Sequence, residues 1–135
     1  MGLLKSVVLV DDNQFNNYIN KNLIKDLGIT NEIQIVHDGL EALKLVQEYS
    51  NSDTFPDLIL LDIVMPTLNG IEFMNVYNTI NFARNTSKPR VIVLTSTEDV
   101  KQIDEIKKLG VDDVIVKPLT QDKIISAIKK HFVLN

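Results

Sequence analysis

The chain has 135 residues, 44% of them hydrophobic and 24% charged, with a net charge of −4 and no cysteine. Those values describe one ordinary soluble domain with enough chain to bury a core. They exclude a disulfide framework and thiolate metal sites, argue against a nucleic-acid partner, and leave no run near the roughly 20 apolar residues of a membrane span.

Taken in chain order, strands and helices alternate. Strand 1 is predicted over about residues 4–10. The opening Met1-Gly2-Leu3-Leu4-Lys5-Ser6 fits a loose myristoylation pattern, but Leu3 and Leu4 lead straight into that strand. Helix 1 places Phe15, Ile19, Leu23 and Leu27 at a four-residue step along one face, and Gly28 ends it where a left-handed backbone is needed. Glu32–Val36 is strand 2, and Gly39 opens a helix carrying Leu40, Leu43 and Val46. After the polar stretch Tyr49–Asp53 and Pro56 comes strand 3. The loop Met65–Gly70 follows it, and then a helix from about Ile71 to Phe82. A second loop, Arg84–Pro89, precedes strand 4. Helix 4 carries Val100, Ile103 and Ile106 and stops at Gly110, and helix 5 carries Ile124, Ile125, Ile128 and Phe132.

Four of the strand runs end in groups that phosphoryl chemistry uses. Val7–Val10 ends in Asp11-Asp12, and Leu58–Leu61 ends in Asp62. Val91–Leu94 ends in Thr95-Ser96, and Val114–Val116 ends in Lys117-Pro118. Unbroken β-branched and leucine runs read as strands buried on both faces, the habit of a parallel sheet. Five β–α units of this length predict an α/β fold: a doubly wound five-stranded parallel sheet with five helices, flavodoxin-like. Parallel strands end on one edge and ligands bind beyond it, so three carboxylates, a hydroxyl and an ammonium should meet there. Crowded carboxylates repel, which raises their pKa values unless a cation compensates, and magnesium is the natural compensator. Magnesium and Lys117 would neutralise a transferring phosphoryl group, and a carboxylate can itself accept it as an aspartyl phosphate. Taken singly, each group has a plainer use. Asp12 or Asn13 could cap helix 1, Ser96 or Thr97 with Glu98 and Asp99 could open helix 4, and Lys117 could be a surface lysine. Four such coincidences at strand ends favour the functional account.

At these residues the chain resembles the receiver domain of response regulators, the CheY-like domains of two-component signalling. The motifs are Val10-Asp11-Asp12, Leu61-Asp62-Ile63-Val64-Met65-Pro66 with Gly70, Leu94-Thr95-Ser96 and Val116-Lys117-Pro118. The resemblance implies a phosphoacceptor rather than a separate enzyme, one that catalyses its own phosphorylation and dephosphorylation. Asp62 would take phosphate from a histidine kinase or histidine phosphotransfer protein. Asp12 would bind magnesium directly, Asp11 mostly through water, and the backbone carbonyl of Val64 would complete the protein ligands together with Asp62. Lys117 would hold the phosphoryl group, with a cis peptide to Pro118. Thr95 and Ser96 would be phosphoryl-binding and switch residues, Thr95 swinging in to a phosphoryl oxygen and carrying the loop before helix 4. Three residues before the lysine many members carry an aromatic ring that flips on activation. Here that residue is Val114, an ordinary strand residue.

Helix 5 is predicted to end near His131, which leads us to expect a single receiver domain over residues 1–135 with no output domain. Such a protein would act in the cytoplasm by switching its binding to a downstream protein, without nucleic acid or membrane, as a monomer or a weak phosphorylation-dependent dimer. His37 closes strand 2, and His131 in the last turn suits the helix dipole. The lysines of helices 4 and 5 read as a solvated face, with a basic docking surface as the sharper alternative. A haloacid-dehalogenase-type phosphatase would want a second acid where Val64 stands. A flavodoxin-like electron carrier would want a phosphate loop where Asp11-Asp12-Asn13-Gln14 stands. A degenerate receiver, used as an unphosphorylated protein-binding scaffold, is the serious alternative.

Overall fold

The structure, a computed structural model, describes residues 4–50, 56–65, 68–81 and 88–132. The start of the myristoylation pattern, the stretch 51–53, Pro66, the expected helix end at Phe82 and residues 84–87 lie outside the described residues. Strand and helix alternate in the order β1 (Val7–Val10), α1 (Gln14–Leu27), β2 (Ile33–Val36), α2 (Gly39–Tyr49), β3 (Leu58–Asp62), α3 (Gly70–Tyr77), β4 (Arg90–Thr95), α4 (Val100–Lys107), β5 (Asp113–Val116) and α5 (Gln121–His131). All pairings are parallel and the sheet order is β2-β1-β3-β4-β5. The reversal of order beside β1 opens a crevice at the carboxyl edge, between β1 and β3.

The unbroken apolar runs are buried on both faces, as a covered parallel sheet requires: every residue of β1 and β3 is buried. Alternate side chains feed two cores. Val8, Val10, Ile59 and Leu61 join Phe73 and Met74 on one side, while Val7, Leu9, Leu58 and Leu60 join Ile24 and Ile124 on the other. Short polar side chains start the helices. Asn13, Asp38, Asn69, Asp99 and Thr120 each accept a hydrogen bond from a backbone amide of the first turn, and Asn69 with Glu72 forms a reciprocal capping box. Gly28 ends α1 at φ 67°, in the left-handed region.

The sequence misplaces four details. Leu4 meets Thr30 only through an isolated bridge, so β1 begins at Val7. On α1 only the second half of the four-residue stripe meets the core: Leu23 and Leu27 pack against it, whereas Phe15 is 70% exposed and Ile19 is also exposed, and the buried residues are Asn17 and Ile24. A step of four overshoots a helical turn by about 40°, so Phe15 and Leu27 lie about 120° apart around the axis. Leu40 and Val100, in the first turns of α2 and α4, are likewise exposed. The third helix spans Gly70–Tyr77, ending earlier than periodicity suggests, with Asn78 turned to donate from Nδ2 to the Leu109 carbonyl at 2.8 Å.

Gly39 shows how tightly the site's surroundings pack. A Cβ built there would run into the backbone carbonyl of Leu68, in the loop that leads from β3 to α3. Backbone cannot step aside as a flexible side chain can. Gly39→Ala should therefore cost about 1–3 kcal/mol. The check is a lower denaturant midpoint at an unchanged slope. A midpoint equal to that of the wild type would show that the loop yields.

Candidate functional site

Asp11, Asp12 and Asp62 meet at the carboxyl edge, with one carboxylate oxygen of each lying within 4.8 Å of the others. They are not equivalent. Asp11 is 4% exposed and Asp62 is buried at the end of β3, while Asp12 is exposed beside them. Asp11 extends the ladder by donating its amide to Val36 O at 3.1 Å, and its Oδ1 accepts the Asn13 amide at 2.9 Å. Asn17 Nδ2, from the buried face of α1, donates to the Asp11 carbonyl at 2.8 Å. Backbone and side chain of Asp11 are thus both fixed. Burial, and after it the negative charge of Asp62, pushes the Asp11 carboxyl above the usual carboxylate range.

Asp62 Oδ1 accepts the Val64 amide at 3.1 Å and lies 3.2 Å from Lys117 Nζ. Lys117 reaches it from the turn after β5. Its amide donates to the Thr95 carbonyl at 2.7 Å, and its peptide to Pro118 is cis. Thr95 is the buried last residue of β4. Its Oγ1 accepts the Thr97 amide at 3.2 Å, and Thr97 Oγ1 in turn donates to Gln102 Oε1 at 2.6 Å. Thr95 is thereby stitched to the loop that starts α4. Ser96 is exposed on that loop and Pro118 is exposed after β5. A cavity of about 630 Å³ runs from Asp62 and Lys117 past Thr95 to Ile106 and Leu109. A second, of about 370 Å³, lies between Asp11, Ile19, Lys117 and Leu119.

The crevice suits a hard cation. Among the described residues the buried Asp11 Oδ2 has no hydrogen-bond partner, an expensive state for a carboxylate oxygen unless a positive charge sits against it. All of the offered donors are oxygens, the set that magnesium takes. The plainer uses are distributed otherwise than the sequence suggests. Asn13 caps α1, leaving Asp12 exposed, and Asp99 caps α4, leaving Ser96 and Thr97 in the loop. Val114 is a half-buried residue of β5 packed against the core cluster that contains Ile106.

Two polar residues on these elements escape a motif search. Asn17 had a signal, since an amide on the buried face of a helix needs a partner. Lys123 had none, because its contacts depend on how the chain turns after β5. His37 lies exposed just past β2, its amide donating to Glu41 Oε2 at 2.6 Å. His131 Nε2 sits 3.0 Å from Asp113 Oδ2, a contact that adds to the dipole account and ties α5 to the edge of the sheet away from the crevice.

A doubly wound parallel sheet with an acidic crevice at its carboxyl edge, and a lysine set on one of the carboxylates, defines a flavodoxin-like α/β domain whose working groups sit on strand ends. Within that class the assignment is specific. The family model of the response regulator receiver domain matches residues 7–129, and the chain belongs to that family, the receiver domains of two-component signalling. Chemotaxis protein CheY of Halobacterium salinarum is 31% identical over 127 residues, spanning 93% of this chain and 95% of that protein. The hybrid signal transduction histidine kinase L of Dictyostelium discoideum is 33% identical over 131 residues. Those are 96% of this chain, which spans only 7% of that kinase's length. A two component response regulator from Cytophaga hutchinsonii superposes with a TM-score of 0.83 at 29% identity, covering 95% of this chain and 96% of that one. Among the described residues no helix is long and apolar enough to cross a membrane.

Proposed function

We propose that the protein is a phosphorylation-activated switch in which Asp62 accepts a phosphoryl group from a histidine kinase or histidine phosphotransfer protein. The observation that carries this reading is Lys117 Nζ at 3.2 Å from Asp62 Oδ1, inside the cluster of Asp11 and Asp12. A carboxylate oxygen of Asp62 attacks phosphorus, a new P–O bond forms and the donor's P–N bond breaks. The electron pair leaves with the imidazole nitrogen, which takes a proton. Lys117 holds a phosphoryl oxygen throughout, and the Val64 amide orients the accepting carboxylate. Asp11, Asp12, Asp62 and the Val64 carbonyl would hold magnesium, which neutralises charge on the phosphoryl oxygens when bound. Attack by water on the same phosphorus returns Asp62 and inorganic phosphate, so the site also sets the lifetime of the signal. The domain then works in the cytoplasm by changing which protein it binds, without touching nucleic acid or membrane.

The test is direct. Acetyl phosphate with magnesium should add a single phosphoryl mass, and chelation of the magnesium should prevent it. The competing reading, a degenerate scaffold, expects no modification under any donor. The presence of every named side chain speaks against it.

Signal transmission falls to Thr95. Its buried hydroxyl is one hydrogen bond from the α4 loop, and Val114 has no ring to rotate and is stiff at χ1. A hydroxyl contact to a charged oxygen is worth about 1.5–3 kcal/mol, enough to bias a two-state loop tenfold or more. Thr95→Ala should be phosphorylated at close to the wild-type rate but lose most amide shifts at residues 95–110 on binding a phosphoryl mimic such as beryllofluoride. Thr95→Ser should keep them. Shifts that persist in Thr95→Ala would send the signal out through another face.

A further inference from the structure

Lys117 is held in place by more than its own pairing with Asp62. On the sheet side its amide is tied to the Thr95 carbonyl at 2.7 Å. On the other side of the turn, the carbonyls of Val116 and Pro118, the residues flanking it, accept hydrogen bonds from one ammonium. Lys123 Nζ donates to Val116 O at 2.7 Å and to Pro118 O at 3.1 Å. Lys123 sits in the first turn of α5, where its own amide donates to the Thr120 cap at 3.2 Å. A cation there opposes the positive end of the helix dipole, so helix stability does not account for it. The two carbonyls do.

Because this reading rests on the phosphoryl role of Lys117, it deepens the function proposed above. We propose that Lys123 is a positioning residue for Lys117: by bridging the Val116 and Pro118 carbonyls it holds the peptide plane before Lys117 and the one after Pro118, and so fixes the turn between them. The Lys117 side chain then leaves that turn in the one direction that reaches Asp62. Buried Leu119 anchors the turn at its far end, so loss of the bridge would free only the turn from Lys117, tied by its amide to the Thr95 carbonyl, to Leu119. Lys123 is exposed and does not touch Asp62, so it acts only through the backbone of Lys117.

Three forms of the full chain separate the possibilities: wild type, Lys123→Met, which keeps the stem and loses the donors, and Lys123→Arg, which restores them. Two readouts are needed. Hydrogen exchange of the Lys117 amide reports the turn without any chemistry, and the rate of Asp62 phosphorylation by acetyl phosphate at saturating magnesium reports its use. In Lys123→Met, protection of the Lys117 amide should fall about tenfold while core amides of β1 keep theirs. The maximal phosphorylation rate should fall about tenfold too, since small misplacements of a reacting group are costly, with the magnesium midpoint unchanged. Lys123→Arg should recover both to within about twofold of wild type. Wild-type protection and rate in Lys123→Met would overturn the proposal, as would an arginine variant that falls as far as the methionine one. If wild type is never modified on Asp62, the functional reading fails instead, and the exchange result still decides whether Lys123 holds the turn.

Discussion

Asp62→Asn should abolish phosphorylation altogether. The substitution keeps the side chain's shape and leaves an oxygen to accept the Val64 amide, which donates to Asp62 Oδ1 at 3.1 Å in the native protein. What it removes is the anionic nucleophile, for which an amide oxygen is no substitute. It also removes one of three crowded carboxylates, so the folded state should not suffer. Intact mass after incubation with acetyl phosphate and magnesium should show one added phosphoryl group on wild type and none on Asp62→Asn. Lys117→Ala should slow the reaction by about 10²–10³, the usual loss when a preorganised charge on the transferring group is deleted. A phosphoryl group that still appears on Asp62→Asn would place the acceptor elsewhere and overturn the reading of the crevice.

Magnesium should raise the stability of the protein, and more at neutral than at acid pH. Asp11 carries the reason. Its carboxyl titrates above the ordinary range because burial, and then Asp62, disfavour its charge. A group whose folded pKa exceeds its unfolded value contributes stability that is complete below the unfolded pKa. That contribution is lost as pH rises through the folded one. Without a cation the fold therefore forfeits the Asp11 contribution on going from acid to neutral pH. A cation in the cluster offsets that loss and satisfies Asp11 Oδ2, which is buried without a hydrogen-bond partner among the described residues. At a hundredfold excess over its dissociation constant a ligand specific for the folded state adds about 2.7 kcal/mol. The rise in unfolding midpoint on adding magnesium should be clear at about pH 7 and shrink towards about pH 4, where protons compete for the carboxylates. Asp12→Ala should remove most of it with little change in apo stability, because Asp12 is exposed. Equal midpoints with and without saturating magnesium at neutral pH would sink the cation reading.

Much of the site could be read from the linear chain because the relevant physics is local. A strand covered on both faces must be apolar along its whole length, so the residue where Val10, Leu61, Leu94 or Val116 gives way to a polar group marks the sheet edge without any knowledge of packing. Parallel pairing then brings those edges together, which is why Asp11, Asp62, Thr95 and Lys117 could be placed in one crevice. The resemblance to receiver domains assigned their roles, and the match over residues 7–129 upholds the family.

Helix faces were less legible. A four-residue apolar step on α1 leaves open which side meets the sheet, and the sheet takes Asn17 and Ile24 while Phe15 stays exposed. The two adjacent aspartates have the same side chain. Only the turn after β1, closed by Asn13 and by Asn17, buries Asp11 and leaves Asp12 exposed. The bridge from Lys123 to the carbonyls around Lys117, and the contact of His131 with Asp113, join groups whose meeting depends on where a turn and a helix end come to rest. The sequence alone determined the strands, their common edge and the chemistry gathered there, because burial and strand period act residue by residue. Tertiary structure alone decided which aspartate is buried, which helix face is covered and which side chains hold Lys117, because those depend on the summed geometry of segments far apart in the chain.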